Sequence, residues 1–124
     1  MAFSTKQFAF GASLLLASFA IPAASQDAAK ALTGTYAIAG KEAIDTPADQ
    51  PKDTHLQLFL SGSAAKDLYN ALKVKATVDE CTGPNARSKF QGGIACTMLD
   101  GGKEYECSLA IDIKNQTLDP VYAC

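Results

Sequence analysis

Hydrophobic and polar residues alternate with the period of an extended chain in several short stretches, and with the period of a helix in one. THLQLFLSG, residues 54–62, sets Leu56, Leu58 and Leu60 on one side and His55, Gln57 and Phe59 on the other, which predicts a strand. It runs directly into SAAKDLYNALK, where Ala65, Leu68, Tyr69 and Leu72 share one helical face, with Ser63 placed to cap and Asp67 in or near the first turn. LTGTYAIAG, residues 32–40, carries Tyr36 and Ile38 on one side between glycine breakers and predicts a first strand. VKATVDEC, residues 74–81, alternates again, with Val74, Ala76 and Val78 inward and Lys75, Thr77 and Asp79 outward, before a TGPN turn.

The strongest local signal is IACTMLDGGKEYEC, residues 94–107, an apolar run, a turn and a strictly alternating run. A two-residue turn at Gly101-Gly102 pairs Met98 with Tyr105, Cys96 with Cys107 and Ile94 with Leu109, apolar against apolar throughout. A slip of one residue sets Cys96 against Glu106 or Ser108 and mixes the faces, so the pattern specifies the register. Tyr105, Cys107, Leu109, Ile111 and Ile113 then share the inward face, and Glu104, Glu106, Ser108, Ala110 and Asp112 the outward one.

QDAAKAL, residues 26–32, reads as a mobile terminus or a single helical turn, and LDPVYAC at the end as a last strand. KEAIDTPADQPKD, residues 41–53, holds two prolines and four acids and reads as a surface loop of a length at which binding loops are over-represented. The elements sum to one small α+β domain: an antiparallel sheet of about five strands with one helix packed on a face.

Composition changes this picture at the amino terminus. Phe8 to Ile21 is apolar apart from Gly11, Ser13 and Ser18, follows Lys6, and precedes the small-residue stretch Pro22-Ala23-Ala24-Ser25. Residues 1–25 therefore read as a secretory signal peptide, too short in its apolar part to span a bilayer, and residues 26–124 as the mature domain, periplasmic or secreted. Without Lys6 the chain has 10 Lys and Arg against 13 Asp and Glu, a balance that disfavours nucleic acid and anionic membrane as partners. Arg87 and Lys89 read as part of a solvated loop.

Export also bears on the four cysteines, Cys81, Cys96, Cys107 and Cys124, which read as two disulfides. Facing Cβ atoms in a ladder sit about 4.5 to 5.5 Å apart whereas a disulfide wants about 3.8 Å. That mismatch favours Cys81–Cys96 with Cys107–Cys124, and leaves Cys96–Cys107 with Cys81–Cys124 as the alternative. No C-x-x-C pair accompanies the lone His55, so no metal and no cofactor is expected.

No catalytic constellation stands out. His55 beside a strand start reads as a surface or edge residue, and Ser61 and Ser63 as helix-capping residues. Glu104, Glu106 and Asp112 share an outward strand face, either a solvated face that resists edge pairing or an acidic strip for a cationic partner. The leading expectation is a small exported binding module, such as an inhibitor of a cationic protein or cell-wall hydrolase, that presents loop 41–53 and this strip to a protein or peptide. The alternatives are an enzyme using carboxylates near Asp79, Glu80 and Asp112, and a structural envelope protein.

Overall fold

The computed structural model describes residues 28–42 and 46–121. The segment read as a signal peptide, the end of the expected last strand and Cys124 lie outside them. The described chain folds as β1 (Gly34–Ala39), β2 (His55–Ser61), α1 (Gly62–Ala71), β3 (Thr77–Asp79), β4 (Gly83–Gln91), β5 (Ile94–Leu99), β6 (Glu104–Asp112) and β7 (Thr117–Asp119). One antiparallel sheet of seven strands runs in the order β1-β2-β6-β5-β4-β3, with β7 pairing the far end of β6 beyond β5. The architecture is a small, mostly β domain with a single helix, and the sheet is wider than the five strands expected.

The extra width comes from β4, the stretch GPNARSKFQ read as a turn and a solvated loop. Its Gly, Pro, Asn and charged residues hide the alternation. Ala86 and Ser88 are buried on one side, while Lys89 on the other reaches the helix. Gly92 and Gly93, at φ 58° and 85°, turn the chain from β4 into β5 in the two-residue manner that only left-handed backbone allows.

The opening hairpin keeps the register read from its pattern, Cys96 facing Cys107 and Met98 facing Tyr105. Its turn is centred one residue earlier than expected. Asp100 and Gly101 carry positive φ (45° and 66°), the Gly102 amide donates to Leu99 O at 2.9 Å, and Gly102-Lys103 make up the difference before β6. Asp-Gly is the better pair for this turn because aspartate tolerates left-handed backbone.

Cys96 and Cys107 are bonded to each other, which overturns the favoured pairing of Cys81 with Cys96 and Cys107 with Cys124. The Cα atoms are 4.0 Å apart, closer than either kind of facing pair in a regular ladder (about 4.5 and 5.5 Å), so the strands draw together at this one point. No described cysteine is a free thiol.

Helix α1 begins at the residue after β2 and lies across β6 and β5 over this bridge. Ala65, Tyr69 and Leu72 join Cys96 and Cys107 in the core, with Leu60, Leu68, Ile94, Met98 and Tyr105 packed around them. Ser61, not Ser63, occupies the N-cap position and makes no side-chain cap bond. Asp67 lies beyond the first turn, where it pairs with Lys30 at 2.8 Å. The C-terminus has a better-defined partner. Lys89 Nζ donates to Tyr69 O and Leu72 O, each at 3.0 Å, and sits 4.5 Å from the centre of the Tyr69 ring. A cation placed among the last helical carbonyls meets the negative end of the helix dipole.

The two faces of the sheet differ from expectation in one respect. Side chains alternate on β2 as read, but His55 and Gln57 are 3% and 2% exposed while Leu56 and Leu58 are only half-buried. Helix α1 covers one end of its face and leaves the leucine rows open; loop residues cover the polar row on the other side, where Gln57 Nε2 donates to Gly40 O. Val78, expected inward, is exposed because the strand it occupies is only three residues long and lies at the sheet edge.

Candidate functional site

On the face away from the helix, cross-strand pairing lines up two rows of side chains. One runs Thr35, Phe59, Ser108, Ala95, Phe90. The next runs Ser61, Glu106, Thr97, Ser88, Thr77. A row with two phenylalanines and an alanine in it thus lies beside a row of hydroxyls with one carboxylate in it.

A second carboxylate arrives from β3. Its pairing with β4 shifts register between Val78 and Asp79, and such a bulge re-aims the side chain that follows. Asp79 Oδ2 accepts from Ser88 Oγ at 2.6 Å and from Thr97 Oγ1 at 3.4 Å, while Oδ1 accepts from the Cys81 and Thr82 amides at 2.9 and 3.2 Å. The Ser88 hydroxyl foremost, with the two amides, holds this carboxyl below the usual range, so it is charged at neutral pH. Ser88 gives its proton to Asp79 and is met by the Thr97 hydroxyl at 2.7 Å, which satisfies a side chain only 1% exposed.

Between these rows lies a concave site of about 540 Å³, with Phe59, Phe90, Leu99 and Val121 as apolar walls and Asp79 and Glu106 as its charges. Among the described residues no lysine or arginine lines it. Glu106 is exposed, and no described residue pairs with it. A cavity of this size, with apolar walls facing a set of hydroxyls and two carboxylates, has the form of a ligand site. Both charged side chains among its described lining residues are negative.

Of the residues singled out in the sequence, Glu106 lies in this site and Glu104 one pair beyond it, facing Leu99. Asp112 does not join them. It lies six residues along β6, about 20 Å away at about 3.4 Å per residue. There Oδ1 accepts from the Lys114 and Asn115 amides at 3.0 and 2.8 Å, and Oδ2 from Asn115 Nδ2 at 2.8 Å. These bonds, the Asn115 amide first, hold its carboxyl below the usual range. Of loop 41–53, the described residues Lys41, Gln50 and Pro51 are at that same end, where they border a smaller depression with His55 and Asp112. The loop and the glutamates therefore do not form one surface. Asp79, Glu80 and Asp112 are likewise not brought together, since neither concavity holds more than one of them.

His55 corrects the reading of a surface residue. Buried at the start of β2, it donates from Nε2 to Asp119 Oδ2 at 2.9 Å, with Asp112 Oδ2 at 3.9 Å and Thr54 Oγ1 2.7 Å from Nδ1. The ligand atoms of His55, Asp112 and Asp119 lie within 4.8 Å of one another, the spacing a metal ion would need. In the structure His55 bonds Asp119 while Asp112 bonds its own turn, and the His55–Asp119 contact ties β7 to β2 across the end of β6. Sequence spacing could not reveal this cluster, since His55 and Asp119 are 64 residues apart.

No protein-family model, curated protein or solved structure matches the chain. The geometry of the site is accordingly the ground on which a function can be argued.

Proposed function

We propose that the protein is a small exported binding module whose concave sheet face takes a cationic group with an apolar stem, such as a lysine or arginine side chain presented by a protein partner. The observation that carries this reading is the pairing of Glu106 and charged Asp79 with Phe59, Phe90, Leu99 and Val121 around one cavity that no described lysine or arginine lines. Lysine and arginine have a matching division, an apolar stem and a charged head. Asp79 is saturated by neighbours, so Glu106 is the group able to form a new ion pair. A disulfide within the sheet suits an oxidising compartment, and we extend it with a second bridge, Cys81–Cys124, as the remaining pairing.

The test is calorimetric titration of the oxidised protein with short lysine- and arginine-bearing peptides and a cationic cell-wall hydrolase, at low and at physiological salt. Saturable binding that weakens at least about tenfold in Glu106→Gln is expected, as for loss of one partner in a desolvated charge pair. Glu104→Gln, outside the cavity, should change affinity by less than about threefold. Absence of saturable binding to every probe, or equal affinity in wild type and Glu106→Gln, refutes the reading.

A further inference from the structure

The opposite face of the sheet carries a second feature, independent of the cationic site. Beyond the reach of α1, cross-strand pairing lines up Tyr36, Leu58 and Leu109 in one row and Ile38, Leu56, Ile111 and Leu118 in the next, with Ile113 at the turn beyond β6. Neither row contains a charged or polar-amide side chain. Tyr36, Ile38, Ile113 and Leu118 are 73%, 55%, 52% and 43% exposed, and Leu56, Leu58, Leu109 and Ile111 are half-buried. Apolar patches beyond a few hundred Å² are uncommon on monomers.

We infer that this face packs against its counterpart on a second copy of the chain, forming a symmetric dimer with the two sheets stacked face to face. Three observations select a second copy over other occupants. The patch offers no charge to attract a charged partner, so what covers it must itself be flat and apolar, and the patch meets that description. The exposed fractions of Tyr36, Ile38, Ile113 and Leu118, with what the four half-buried side chains still show, amount to roughly 600 Å² per copy, so a pair that buried all of it would reach on the order of 1,200 Å², the lower end of stable specific interfaces. β1 is the sheet edge and the most exposed part of the patch, so a two-fold operator can bring the rows together without displacing α1, which sits at the far end. Stacked sheets sit about 10 Å apart, a spacing that leucine, isoleucine and tyrosine rows fill. The cationic site lies on the other side of the sheet and stays open in such a dimer.

Sedimentation equilibrium of the oxidised protein at about 1 to 200 μM decides the matter. The expected result is a reversible dimer with a dissociation constant in the micromolar range. Ile38→Lys and Leu118→Lys should each raise that constant at least about tenfold, because each substitution enters the symmetric interface twice. Ala37→Lys, on the opposite face of β1, should leave it within about twofold. Circular dichroism shows whether each variant folds, and Ile38→Thr, with a smaller shift in the same direction, replaces any that does not. A protein monomeric throughout the range overturns the inference, as does one whose patch is protected only by added lipid vesicles or by a different protein. A dimer with unchanged affinity in both lysine variants overturns it too.

Discussion

Lys89→Met removes a charge while keeping an apolar stem of similar length. In the structure the ammonium makes two hydrogen bonds to carbonyls at the end of α1, both at 3.0 Å, and lies 4.5 Å from the centre of the Tyr69 ring. A favourable charge at a helix C-terminus contributes about 0.3 to 1 kcal/mol when exposed and up to about 2 when partly buried. The ring contact adds about 0.5 to 1 kcal/mol. Because one ammonium serves all three partners these values overlap, and a loss of about 2 kcal/mol is the working figure. Melting temperature should then fall by about 8 to 16 °C for a domain of this size. Urea unfolding at pH 7 measures the change directly. Lys66→Met is the control, for Lys66 is exposed and 5.9 Å from the Tyr105 ring, and it should cost less than about 0.5 kcal/mol. Equal losses in the two variants, or a loss below about 0.5 kcal/mol in Lys89→Met, would refute the assignment of Lys89 as the cap of this helix.

Acid should destabilise the fold in a defined window. Asp79 and Asp112 are both held below the ordinary carboxylate range in the folded chain, so their contribution is complete above the unfolded value near about 4 and disappears as pH falls through the lowered folded values. The urea midpoint should hold between about pH 7 and pH 5 and decline below about pH 4, less steeply in Asp79→Asn; parallel declines would assign the acid response elsewhere. Cys124→Ser tests the second bridge: Cys81–Cys124 closes a loop of about 40 residues against about 12 for the hairpin bridge, so its loss should cost about 4 kcal/mol against about 3 for Cys96→Ala with Cys107→Ala. Peptide mapping that finds Cys81 joined to any residue but Cys124 would refute that linkage.

Much of the fold was legible where alternation or helical spacing was clean. The β5–β6 register, the faces of β2 and the buried side of α1 follow from pattern alone, because one-residue slips there exchange apolar for charged neighbours. β4 escaped because a strand of Gly, Pro, Asn, Arg, Ser and Lys carries little apolar signal, and the residue it turns to the helix side is the charged Lys89. Burial on β2 was read with the wrong emphasis. Leucines mark the side that seeks cover, whereas the helix is too short to provide it along the whole strand, and the histidine and glutamine opposite are covered by loop and turn. The candidate site was half visible: Glu106 belonged to an acidic strip in sequence, but its cavity depends on a bulge at Asp79 and on Val121, neither of which leaves a local mark. Regular ladder spacing argues against a bridge between Cys96 and Cys107, yet the strands draw together to 4.0 Å between Cα atoms at that pair, a local closure that no sequence pattern marks.

The order of strands in the sheet carries a kinetic consequence. From β3 to β6 each strand pairs with its neighbour in sequence through a short turn, so this meander can assemble from local contacts. β2, by contrast, pairs with β6 across about fifty residues, and its docking waits on a far larger loop closure. Folding should therefore begin in the half of the chain that is synthesised last, with the β1–β2 pair and the helix held undocked until β6 offers its edge. A chain that emerges amino terminus first must keep three apolar segments from associating with other molecules throughout that delay, which makes the interval before β6 appears the period of greatest exposure to aggregation.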